Sequence, residues 1–125
     1  MTTLSSLVGL LCLATACVPD DQLTLTCDDL LPADEAGFVA VSALVVEPGP
    51  KSCASCHNTH SPVAGLNFEG PGVAYDALTT KTDRIYAQVA SGAMPKSGEP
   101  WSDDDLRLFR SWICHGGLYD EAAER

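Results

Sequence analysis

Cys53-Ala54-Ser55-Cys56-His57 sets two thiols three positions apart, with an imidazole directly after the second. That C-x-x-C-H spacing is the attachment signature of a c-type haem. Each thiol can form a thioether to one of the two haem vinyl groups, and the histidine next in line is then held beneath the iron as proximal ligand. The axial imidazole fixes the iron's electronics, and burial and neighbouring hydrogen bonds tune its potential further. A zinc half-site or a redox dithiol also uses C-x-x-C, but neither requires the adjoining histidine.

The 125 residues make one small domain. Aromatic residues are only 6% of the chain, so a core of side chains alone would be thin and a covalently held porphyrin would add apolar mass. The formal net charge is −10, and residues 1–17 carry no charged side chain, so the whole excess lies downstream. Two haem propionates would add to it. Nucleic acid and anionic lipid headgroups are therefore poor partners, because like charges repel at long range. The acidic surface serves solubility first, and it would also suit a basic redox partner.

Leu4 to Val18 is an uncharged apolar run, short for a bilayer span and of the length of a signal-peptide core. Its end, Leu13-Ala14-Thr15-Ala16-Cys17, resembles a bacterial lipobox, which implies that Cys17 becomes the lipidated first residue and anchors the chain to a membrane. The alternative is ordinary cleavage after Ala16. Both readings make the chain an exported protein of the periplasm or outer cell envelope. Residues 1–17 then read as signal peptide, 18–33 as a polar tether and 34–125 as the domain.

Within the domain, Pro32-Ala33-Asp34-Glu35 reads as a helix start, with acidic residues at the positive end of the dipole. Phe38, Val41 and Val45 continue it at helical spacing, although Val39, Val41, Val45 and Val46 are also strand formers, and Pro48-Gly49-Pro50 ends it. The stretch from His60 to Gly72 is rich in Gly and Pro and reads as loop. Val73–Leu78 predicts a short helix, and Thr82-Asp83 caps another through Ile85, Val89 and Ala90 to Gly92. Ser102 with Asp105 predicts a capping-box start, Leu106, Phe109 and Ile113 recur on one face, and Gly116-Gly117 ends the last helix. The expected fold is all-α, with long loops.

The haem motif, then Gly92-Ala93-Met94-Pro95, then Trp101-Ser102-Asp103-Asp104-Asp105-Leu106, then Trp112-Ile113 with Gly116-Gly117 resembles a class I-type cytochrome c domain over about residues 34–119. The resemblance implies a small cytochrome c-like fold around one covalent haem c. Cys53 and Cys56 would be its thioether anchors, and His57 and Met94 its axial ligands. It also implies that Gly37 or Ala40 of the first helix lets Trp112 of the last pack close. One departure is visible: in the family the haem motif follows the first helix closely, whereas here Glu47-Pro48-Gly49-Pro50-Lys51-Ser52 intervenes.

A thioether sulfur favours ferrous iron, and with both axial positions filled the iron passes electrons with little rearrangement. The fixed φ of Pro95 would limit where Met94 points. His60, three residues past His57, can hardly reach the opposite haem face, and His115 would have to displace the Met94 loop. Of the six cysteines, Cys12 would leave with the signal, Cys17 take lipid, and Cys53 and Cys56 take haem. That leaves Cys27 and Cys114 as an expected disulfide in an oxidising compartment. The rival class is a structural zinc module using Cys53 and Cys56 with Cys27, Cys114 or a histidine. A thiol oxidoreductase is weaker, since no βαβ pattern surrounds the thiols, and an enzyme such as a peroxidase would want an open distal site. The expectation is an electron carrier, not an enzyme, working with redox donor and acceptor proteins.

Overall fold

The computed structural model describes residues 23–125, so the signal-like run, Cys12 and Cys17 lie outside the described residues. Among the described residues are four α-helices: α1 (Phe38–Val46), α2 (Pro71–Thr80), α3 (Thr82–Ala90) and α4 (Asp103–Cys114). None of them is long and apolar enough to cross a membrane.

The fold is mostly helical, but all-α needs one correction. His57–Asn58 (β1) pairs antiparallel with Ser61–Pro62 (β2), His57 opposite Pro62 and Asn58 opposite Ser61. Asn58 closes this hairpin, its side-chain oxygen accepting from the amides of His60 and Ser61, both at 3.1 Å. Asn favours such local closure, which sequence periodicity does not register.

The first helix also begins later than its acidic start predicts. Ala33–Glu35 form a separate 3-10 turn, held by the Glu35 amide on Pro32 (3.0 Å) and the Ala36 amide on Ala33 (3.4 Å). Ala36 then leaves helical geometry at φ −123°, ψ 53°, and is buried, so α1 starts afresh at Phe38 behind Gly37. The cap of α3 is likewise Lys81, not Thr82. The Thr82 hydroxyl donates back to the Leu78 carbonyl at 2.7 Å, spending itself on the end of α2.

The core gathers Phe38, Val41 and Val45 of α1, Ala74 and Leu78 of α2, Ile85, Tyr86 and Val89 of α3, and Phe109 and Trp112 of α4. Neither Gly37 nor Ala40 is the close partner of Trp112. Ala40 is exposed, and a Cβ at Gly37 would meet nothing within 4 Å. Phe38 takes that place, its ring 5.4 Å from Trp112 and edge-on to Tyr75 at 5.4 Å. An aromatic on α1 makes the helix contact by filling space instead of by clearing it.

Helix α4 starts as its sequence demands. The Ser102 hydroxyl accepts from the Asp105 amide (3.1 Å) and Asp105 accepts from the Ser102 amide (2.9 Å), a pairing that contributes about 1 kcal/mol. It ends at Gly116 and Gly117, both at positive φ, where the Gly117 amide returns to the Trp112 carbonyl at 2.9 Å.

Residues 23–33 fall in the stretch read as a tether, with Cys27 expected to tie it to the last helix, and part of it is strapped along α4. Arg107 binds the Asp29 carbonyl and carboxylate at 3.0 and 3.2 Å, and Arg110 the Asp28 carbonyl at 2.6 Å. The Leu31 amide donates to Ser111 at 2.8 Å, and Cys27 and Cys114 are joined by a disulfide. Packing of the domain therefore begins before residue 34. The two arginines and the buried hydroxyl of α4 draw this stretch onto the helix.

Asp105 also receives Lys51 Nζ at 2.7 Å, a link from the start of α4 to the loop after α1. Partial burial pushes its carboxyl up, but hydrogen bonds from Lys51 and Ser102 outweigh that and hold it below the usual carboxylate range. The stabilisation is complete above the unfolded value of about 3.9 and is lost as pH falls through the lower folded value. We expect Asp105→Asn to lower stability at neutral pH and to flatten the stability curve below about pH 4, measured by urea unfolding from pH 7 to pH 2. An equal deficit at both ends of that range would mean that the charge of Asp105 plays no part.

Candidate functional site

The two thiols and the imidazole are set by the end of α1. The Val45 carbonyl accepts from Ser52 Oγ (3.1 Å) and from the amides of Cys53 (3.0 Å) and Ala54 (3.1 Å), docking the motif on the helix terminus. The amides of Cys56 and His57 then turn back to the Cys53 carbonyl at 3.2 and 2.9 Å, a single helical turn. Asn58 Nδ2 braces that turn on the Ala54 carbonyl at 3.1 Å. Cys53, Cys56 and His57 all line one cavity of about 640 Å3, within the range of ordinary ligand sites.

His57 is buried, with 8% of its surface exposed. Its Nδ1 lies 2.9 Å from the Val63 carbonyl, and because a carbonyl only accepts, the ring proton sits on Nδ1. Nε2 keeps its lone pair. This is the arrangement in which a histidine serves as an oriented metal ligand. The Phe68 ring stands edge-on to the imidazole at 6.0 Å, and the Phe68 amide donates to the His57 carbonyl at 2.8 Å.

Met94 lines the same cavity. It follows α3, its amide anchored on the Gln88 carbonyl at 3.1 Å, and the Met94–Pro95 peptide is cis. Val63, Leu66 and Phe68 from the loop after the thiols, with Ile85 and Val89 from α3, give the cavity an apolar lining. Ser52, Arg84, Gln88, Lys96 and Ser97 are its polar members outside the motif.

The donors suit a covalently attached haem: two sulfurs for the vinyl groups, an imidazole with a free Nε2, and a neutral soft sulfur, all on one largely apolar cavity. The Cys53 thiol does not suit thiolate chemistry of the redox kind. Burial pushes it up to about 12, opposite to the lowering that a reactive dithiol needs. Burial favours a neutral sulfur there, and a thioether is neutral.

The other expected donors lie elsewhere. Cys27 and Cys114 are consumed by their disulfide, so neither is available as a thiolate for zinc. His60 is exposed and does not line the cavity. His115 caps the end of α4, with Nε2 2.7 Å from the Leu31 carbonyl, and is likewise absent from the cavity wall. Among the described residues, no group of three or more His, Cys, Asp or Glu side chains is arranged to hold a metal ion.

Sequence reasoning missed Val63 as the partner of His57, because its contribution is a backbone carbonyl. It also missed Phe68 and Leu66 as cavity walls. The i, i+4 pair Ile85 and Val89 was the one available signal for the wall on α3. No protein-family model, no curated protein and no solved structure matches the chain.

Proposed function

We propose that this chain is a monohaem c-type cytochrome that passes single electrons at the cell envelope, with Cys17 carrying a lipid anchor. The observation that supports it most strongly is the meeting of Cys53, Cys56, His57 and Met94 on one apolar cavity. When bound, the haem would supply a one-electron ferric/ferrous couple.

The chain's own residues do the rest. Cys53 and Cys56 would hold the group by thioethers, and His57, with its Nδ1 proton committed to Val63, would offer Nε2 to the iron. Met94 would supply a soft sulfur that favours the ferrous state and a higher potential. Phe68, Ile85 and Val89 give the cavity apolar walls, which would favour a higher potential. With both His57 and Met94 given over to holding the group, the reading is an electron carrier. Its partners would be redox proteins, and the charge of −10 favours basic ones over nucleic acid.

The zinc alternative has less support, because Cys27 and Cys114 are already paired and, among the described residues, no further donor joins Cys53, Cys56 and His57. The test is the visible spectrum of protein matured with a cytochrome c assembly system. A sharp reduced α band that survives denaturing extraction of free haem is expected, with a weak ferric band in the red from methionine ligation. Protein that carries no covalent haem, and zinc instead by metal analysis, would overturn the proposal.

A further inference from the structure

The excursion 47–52, which separates α1 from the thiols, does more than connect them. It leaves α1 at Glu47 and returns to the same helix end at the Val45 carbonyl. On the way it meets the loop that carries Met94. The Glu99 amide donates to the Pro50 carbonyl at 2.8 Å. Trp101 Nε1 donates to the Lys51 carbonyl at 3.1 Å, and Lys51 Nζ to Asp105 at 2.7 Å.

Gly98 is where the two loops touch most closely. A Cβ placed there would fall inside the van der Waals sphere of the Pro50 carbonyl oxygen, and 3.1 Å from both the Pro50 carbonyl carbon and Pro95 Cβ. The backbone of Gly98 is not left-handed, so the restriction is one of space alone. Gly49, Pro50 and Ser52 line the cavity together with Met94, Pro95, Lys96, Ser97 and Gly98, so this joint closes one side of its wall.

We propose that the Pro50–Gly98 joint is a latch that positions Met94 at the cavity, with Gly98 as the positioning residue. This rests on Met94 being the distal ligand. The Met94 amide is pinned upstream on Gln88, and the next backbone hydrogen bond along the chain is the one from Glu99 to Pro50. Between those pins the loop makes no main-chain hydrogen bond among the described residues. A methionine side chain is flexible, so the position of its loop decides whether the sulfur stays in place. Parting the joint removes the downstream pin and lets residues 94–99 open locally without unfolding the helices.

The test compares the full chain with Gly98→Ala and with the milder Trp101→Phe, which removes the indole bond to Lys51 and trims the ring packed against Phe109 while leaving the Pro50–Gly98 contact in place. In the protein as purified, amide exchange at Met94 and Glu99 is expected to rise about tenfold or more in Gly98→Ala, and less in Trp101→Phe. The amides of Cys53 and Ala54, bonded to Val45, serve as the unaffected reference. In haem-loaded Gly98→Ala, the ferric red band is expected to be lost at lower pH than in the parent, and the reduction potential to fall. Unchanged exchange at Met94 in both variants, or an unchanged red band and potential with exchange raised only at Glu99, would overturn the latch. Should Gly98→Ala fail to fold, Trp101→Phe decides by the same readouts. A parent chain that takes up no covalent haem would defeat the cytochrome reading, while exchange at Met94 would still decide the latch as a loop-positioning device.

Discussion

Met94→Leu is expected to keep its covalent haem, lose the ferric red band and show a reduction potential lower by on the order of 0.2 V, part of the about 0.8 V that axial ligation spans. Leucine conserves volume and apolarity, so the cavity wall survives and the change isolates the sulfur. Without the sulfur, ferrous iron loses the soft donor that favoured it, and water or added imidazole gains access to the distal side. Potentiometric titration followed at the α band measures the first effect, and imidazole binding the second. An unchanged potential would mean that Met94 is only a packing residue. No histidine is placed to replace it, since His60 and His115 both lie off the cavity wall, with His115 tied to the Leu31 carbonyl at 2.7 Å.

The residues that can be read from the sequence are those with a fixed motif spacing or a strong periodicity. Cys53, Cys56 and His57 declare themselves by spacing, and the start of α4 by the Ser102 and Asp105 pair. The even cysteine remainder pointed to Cys27 and Cys114, which the structure joins. What stayed hidden depends on tertiary contact or on the backbone. The Val63 carbonyl orients His57, yet any residue type supplies a carbonyl. Phe38 meets Trp112 where the resemblance implied a small residue, because which aromatic fills a helix crossing is settled by packing. The Asn58 hairpin and the 3-10 turn at Ala33–Glu35 are local hydrogen-bonding choices that compete with helix and leave no period. The 47–52 stretch stands out in the sequence as Pro- and Gly-rich spacing before the thiols, but its packing appears only when Gly98 is found against Pro50.

Replacing both Cys27 and Cys114 by serine is expected to lower stability by about 4–5 kcal/mol, because the bridge closes a very long loop in the unfolded chain. The two residues are 87 positions apart, so almost the whole described domain lies inside that loop. For a domain near 100 residues, such a loss lowers the thermal midpoint by about 20 °C or more. The native strap would largely persist, since Arg107, Arg110 and Ser111 still hold residues 28–31. The effect should therefore fall on the unfolded ensemble, which becomes more expanded and gives a steeper dependence on urea. Urea unfolding of the parent and the double variant, each haem-loaded, measures both quantities. Loss of stability without a steeper slope would move the effect to the native state and to the strap. In that case Arg107→Ala, which removes a half-exposed contact to Asp29 and is expected to cost under about 1 kcal/mol, should prove nearly as damaging as the double substitution.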